Sequence, residues 1–155
     1  MAKDGGQKSC LEETFTITSK SCGQNLWVDP SKNDDIVVLS DINNAHTSQQ
    51  WKKVPKGNLW SFQNVATGGF LCPDNRPSNP DGVRTSLEIQ ENQMQWKVEN
   101  WDNALFSWTI LDNANRNLVK GLKMVEKHQP VKLLPCKSSQ TCCQSFAWEI
   151  KGSPI

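Results

Sequence analysis

Six cysteines and two histidines are the residues of this 155-residue chain best suited to hold a metal or attack a substrate. Their spacing supports neither. Zinc sites use paired ligands a few residues apart, yet no Cys-x-x-Cys occurs, and His46 and His128 are distant in sequence. Cys10 and Cys22 flank a stretch that reads as a strand. Extended at about 3.3 Å per residue, it would hold them roughly 40 Å apart, beyond disulfide reach. Cys136 and the vicinal pair Cys142-Cys143 fall in one predicted hairpin and can bridge. Small half-buried thiols, with one or two bridges, are the expectation. No Gly-x-Ser-x-Gly, His-Glu-x-x-His or phosphate loop is present. The sequence therefore predicts no catalytic residue, no metal and no cofactor, and a chain that is not an enzyme.

The remaining chemistry is recognition by hydrogen bonding, and its residues gather in loops. Asp29 stands before Pro30 at a strand end, and Asn43, Asn44 and His46 share the next loop. Alternation puts Leu26 and Val28 on one strand face and Trp27 and Asp29 on the other. The segment from Pro73 to Gly82 is long, polar and stiffened by prolines, and carries Asp74 and Asn75. Glu88, Gln90 and Asn92 follow it.

A threefold repeat positions these loops. Trp51, Trp96 and Trp148 each open a short alternating run and lie 45 and 52 residues apart. Each closes a unit that starts with an alternating strand: Thr14 to Thr18, Leu59 to Asn64, and Phe106 to Ile110. Second strands are expected at Leu26-Trp27-Val28, Phe70-Leu71-Cys72 and Leu118-Val119, and third strands at 36–39, 86–89 and 131–134. Hairpin-type turns separate the first two strands of each unit. Self-similarity at this period sets architecture. Twelve short strands in three four-strand units, with no convincing helix, predict an all-β fold, a β-trefoil with pseudo-threefold symmetry. One domain over 1–155 is expected, with repeats at about 11–54, 55–100 and 101–151. The three closing tryptophans are expected in the core.

Charge removes other classes of partner. Seventeen basic and 16 acidic residues leave a net charge of +1, which gives no field for nucleic acid or an anionic membrane. The polar start of the chain has no signal-peptide core, and no apolar run reaches membrane-spanning length. The expected location is cytoplasmic, exported unconventionally, or that of a mature secreted form.

The segment Gln49-Gln50-Trp51 resembles the Gln-x-Trp motif of ricin B-type (R-type) lectins, and Leu26-Trp27-Val28-Asp29 resembles that family's second strand. Val131 to Lys137 is similar to its third strand. The resemblance spans about residues 11–151. The motif is kept once, and the other repeats read Met94-Gln95-Trp96 and Phe146-Ala147-Trp148. It implies a carbohydrate-binding protein with a carboxylate, an aromatic platform and an amide in each working pocket. Such groups hold sugar hydroxyls, which both donate and accept, in fixed geometry. On this resemblance, repeat one offers Asp29, Trp27, Asn43, Asn44 and His46, and repeat two offers Asp74, Asn75, Glu88, Gln90 and Asn92. Counting from the tryptophans puts Leu39 where the family has its stacking aromatic. The same comparison puts Pro73 and Gly121 at the carboxylate position of repeats two and three. The implied partners are glycans bearing galactose, GalNAc or GlcNAc-type sugars, and a homodimer stays open. Lys120, Lys132 and Lys137 near the third pocket suit an acidic sugar or phosphate better than a neutral sugar.

Two other readings compete. A β-trefoil protease inhibitor would present the loop from Pro73 to Gly82, with Arg76 exposed, although Pro77 directly after it is awkward for a trypsin-like enzyme. A protein-interaction trefoil that binds no sugar is the third, since one fold hosts many functions.

Overall fold

Alternating apolar residues build a closed ring of six strands in the computed structural model, which describes residues 14–32, 34–56, 59–74, 76–88, 95–100, 108–112, 120–135 and 144–152. The ring comprises β1 (Thr14–Ser19), β4 (Trp51–Lys56), β5 (Leu59–Asn64), β8 (Trp96–Asn100), β9 (Trp108–Asp112) and β12 (Ala147–Gly152). Each pairs antiparallel with the next, and β12 returns to β1 through Ile17↔Ile150 and its neighbours. Closure leaves no free edge in the ring. Three hairpins attach to it: β2 (Asn25–Val28) with β3 (Val37–Ser40), β6 (Phe70–Pro73) with β7 (Val83–Ser86), and β10 (Lys120–Lys123) with β11 (Lys132–Pro135). The hairpins touch pairwise through the isolated bridges Ile36↔Arg84, Val38↔Pro130 and Gly82↔Lys132. This is the β-trefoil, a six-stranded barrel with three hairpins meeting over one end.

The turns entering the hairpins repeat in detail. Gly23 and Gly68 both have φ of +76°, a region that glycine enters without strain. Their N–H groups donate to Ser19 and Asn64 carbonyls, each at 2.8 Å.

Trp51, Trp96 and Trp148 are fully buried in one core with Ile17, Leu26, Leu71 and Leu122. Burial obliges each indole N–H to find an acceptor. They donate to the carbonyls of Leu26 at 3.2 Å, Leu71 at 3.0 Å and Leu122 at 2.9 Å. These bonds give an exact register between repeats: Leu26, Leu71 and Leu122 are equivalent, so Asp29, Asp74 and Val125 are too.

That register corrects the sequence alignment. The carboxylate position of repeat two is Asp74, one residue after Pro73. In repeat three it is Val125, because Gly121 lies inside the sheet, paired with Leu134 and Leu111. The third strand of repeat two also sits earlier than expected, at Val83–Ser86. Val83 and Thr85 fill the core there, while Leu87, which made the later window look alternating, is 74% exposed. In repeat three the predicted Leu118-Val119 lies outside the described residues, and the described strand starts at Lys120. Cys22 and Cys72 carry free thiols, and burial pushes Cys72 up to about 11. Cys10, Cys136, Cys142 and Cys143 lie outside the described residues.

Candidate functional site

The loop after β3 is tied down by Gln49, which is buried. Its Oε1 accepts from the Asn43 N–H at 2.9 Å and from Asn25 Nδ2 at 2.7 Å, and its Nε2 donates to the Asp41 carbonyl at 2.9 Å. Asn44 is held by the same knot. Its Oδ1 accepts from Asn25 Nδ2 at 3.3 Å, and its carbonyl accepts from Gln50 Nε2 at 2.7 Å. His46 caps a 3-10 turn over Thr47–Gln49. The Ser48 N–H, which can only donate, points at His46 Nδ1 from 3.2 Å, and Ser48 Oγ lies 2.6 Å from it. Nδ1 therefore accepts, and the neutral ring carries its proton on Nε2. The ring meets Trp27 edge-on, with centroids 5.8 Å apart at 69°. Trp27 is half-buried, on the strand face opposite Leu26 and Val28. Leu39, at the family's platform position, is in the core.

Asp29 ends β2 on a surface turn. Its Oδ1 accepts from the Ser31 hydroxyl at 2.7 Å and the Ser31 N–H at 2.9 Å. These two bonds hold its pKa below the ordinary carboxylate value. Asp29, Pro30, Ser48, Ala66 and Thr67 wall a cleft of about 520 Å³. Trp27 and His46 do not line it, but Ser48, which His46 grips, does.

A second cleft of about 570 Å³ adjoins the first and shares Val28, Asp34, Asp35, Thr67 and Arg76 with it. Cys72, Arg84, Ser86, Leu87 and Glu88 are among its other lining residues. Its wall is an ion network between repeats one and two. Asp35 takes Arg76 Nη2 on Oδ1 at 2.6 Å and Arg84 Nη2 on Oδ2 at 2.9 Å. Arg76 also grips Asp74 through Nε and Nη2, both at 2.8 Å.

Asp74 is built differently from Asp29. Its side chain has no exposed surface. It receives the Arg76 fork, the Arg76 N–H at 3.0 Å and Asn79 Nδ2 at 3.0 Å. Burial pushes its pKa up, yet the hydrogen bonds from Arg76 and Asn79 outweigh this and bring it to about 2. Gly82 lets the loop close this tightly, because a Cβ there would collide with the Asn79 amide. In the loop expected to display polar groups and a free arginine, Asp74 is enclosed, and the Arg76 guanidinium pairs with Asp74 and Asp35 while its side chain stays 41% exposed.

The structure thus brings Trp27, His46, Asn43 and Asn44 together around one loop and places Asp29 on the neighbouring cleft. Glu88 is exposed and lines the second cleft but not the first. Asn75, Gln90 and Asn92 lie outside the described residues. In repeat three, Lys132 Nζ donates to the Pro80 carbonyl at 2.8 Å, Lys120 is half-buried, and Lys137 lies outside the described residues. Sequence reasoning missed Asp34, Asp35, Thr67 and Arg84. The adjacent acids Asp34-Asp35 between two core strands were the available signal.

Neither a family model nor a curated relative matches the sequence. Solved structures do. A Macrolepiota procera ricin B-like lectin in complex with lactose aligns with a TM-score of 0.71 at 15% identity, over 93% of this chain and 98% of that one. The Rhizoctonia solani agglutinin aligns with a TM-score of 0.69 at 18% identity, over 96% and 100%. A Culex salivary protein of a cysteine- and tryptophan-rich family gives 0.71 at 15% identity, over 92% and 95%. At such identities the likeness is one of fold: the chain is a β-trefoil.

Proposed function

We propose that this protein is a non-catalytic lectin that binds neutral or N-acetylated sugars of glycans at the boundary of repeats one and two. The observation that carries the reading is Asp29. It is ionised, oriented by Ser31, and stands on an open cleft at the end of the second strand. A fixed carboxylate of this kind accepts from two adjacent sugar hydroxyls. Trp27 and His46 add a rigid aromatic edge nearby. Glycans of the galactose, GalNAc or GlcNAc type are the proposed ligands.

Neither Asp29 nor Asp74 is set up as the general acid of sugar hydrolysis. Asp29 and Asp74 both fall below their ordinary pKa, whereas sugar hydrolysis needs one carboxyl raised toward neutrality as a general acid. For the inhibitor reading, Arg76 is half-exposed but held by Asp74 and Asp35. A broad glycan array tests the proposal: neutral glycans should bind, and Asp29→Ala should abolish the signal with the fold retained. A blank array for the intact protein would sink it in favour of a protein-binding trefoil.

A further inference from the structure

The two adjoining clefts form one trough across the boundary of repeats one and two. Asp29 and Ser48 line one lobe only, Ser86, Arg84 and Glu88 line the other only, and Asp35, which pairs with Arg84, belongs to both. Each lobe, at about 520 and 570 Å³, is within the range of a small-molecule pocket. A single sugar ring bound beside Asp29 would leave the Glu88 lobe empty.

The trough also has a sign. Four carboxylates, Asp29, Asp34, Asp35 and Glu88, line it with two guanidiniums, Arg76 and Arg84. Both guanidiniums are paired through Asp35, and Arg76 grips the enclosed Asp74 as well. Among the described residues no ion pair neutralises Asp29, Asp34 or Glu88. Lys32 acts on Asp29 from outside the lining, and the lining itself carries more carboxylates than guanidiniums. A cleft lined by one sign concentrates its field and repels ligands of that sign.

We infer that the trough takes an uncharged glycan segment at least two sugars long, spanning from Asp29 to Glu88, and rejects glycans bearing a carboxylate or sulfate. This rests on the lectin reading and deepens it. The chemistry offered to such a chain is specific. Asp29 accepts hydroxyl hydrogens in one lobe, Ser86 and Glu88 do so in the other, and the Asp35–Arg84 pair adds both acceptors and donors.

Calorimetric titration of the full chain at low salt tests it. The probes are galactose, GalNAc, GlcNAc, N-acetyllactosamine, a neutral tetrasaccharide of two N-acetyllactosamine units, and sialylated N-acetyllactosamine. The best neutral oligosaccharide should bind at least about tenfold more tightly than the best monosaccharide, as expected when a second lobe is filled. The sialylated probe should bind about tenfold more weakly than neutral N-acetyllactosamine. That gap should shrink as salt rises, because screening acts on the exposed acids. Glu88→Gln should narrow it severalfold. A monosaccharide matching the tetrasaccharide would overturn the extended site and leave the lectin reading standing. So would a sialylated probe that binds as tightly as its neutral parent at low salt. No binding by any probe, together with a blank array, would overturn both.

Discussion

Asp29 and Asp74 occupy the same position in two repeats, three residues beyond the leucine whose carbonyl accepts a tryptophan N–H. The backbone treats them alike, and the side chains do opposite work. Asp29 is held by one serine and faces a cleft. Asp74 is caged by Arg76 and Asn79 and latches its own loop to Asp35 of repeat one. The third equivalent, Val125, is 54% exposed and does neither. Pseudo-symmetry therefore propagates the core and not the surface: one repeat leaves this carboxylate on an open cleft, and its neighbour has turned the same carboxylate into structure.

The sharpest way to break this contrast is alanine at each acid. Asp74→Ala leaves the Arg76 fork half empty and the Asn79 amide without its acceptor. Removing one partner of a buried ion pair costs about 3 kcal/mol, and the half-exposed Arg76, which keeps Asp35, puts this loop at the lower end of that scale. Asp29→Ala should cost under about 1 kcal/mol, as surface changes do, while it removes glycan binding. Urea unfolding of both variants measures the difference. Equal losses would mean that the two acids are not doing different work.

Acid separates them next. The folded pKa of Asp74 is about 2, below its ordinary value of 3.8. The unfolded chain therefore takes up this proton first as pH falls. The stabilisation is complete above about pH 5 and is lost as pH drops through 4 toward 2, amounting to about 2 kcal/mol. Wild-type stability should fall across that window, and the Asp74→Asn profile should be flatter by this amount. Coincident profiles would remove Asp74 from the latch.

The shared frame was legible in the sequence because tryptophan and alternation report burial directly. The three tryptophans, the barrel strands and the turn glycines were readable without coordinates. The division of labour was not. Arg76 lies two residues from Asp74, a spacing that reads as a surface loop, and its other partner, Asp35, is 41 residues away. Aligning the second strands at Leu26, Phe70 and Leu118 slipped by one residue in repeat two and by four in repeat three. The slip moved the carboxylate from Asp74 to Pro73 and from Val125 to Gly121. The indole-to-carbonyl bonds restore that register. The missing platform was readable: Leu39 is apolar at a position the family fills with an aromatic, and it packs in the core.

Val125→Asp tests whether position alone makes a site. The side chain is exposed, so stability should change by no more than about 0.5 kcal/mol. No new glycan binding should appear, because repeat three has Lys127 where Ser31 orients Asp29. A gain in binding stoichiometry by calorimetry would show that the strand end suffices.

The smallest change addresses orientation itself. Ser31→Ala removes the hydroxyl that donates to Asp29 Oδ1 and keeps the backbone N–H at the same oxygen. The side-chain bond is the larger of the two influences lowering this pKa. The Asp29 pKa, followed by carboxyl-carbon NMR, should therefore rise toward the ordinary value with the fold unchanged. Affinity for the best neutral glycan should fall severalfold at neutral pH, where Asp29 stays ionised in both proteins. The loss then reports freedom of the carboxylate and not its charge. A pKa that rises with affinity intact would make Ser31 a structural neighbour only, and Asp29 would bind through charge without a fixed geometry.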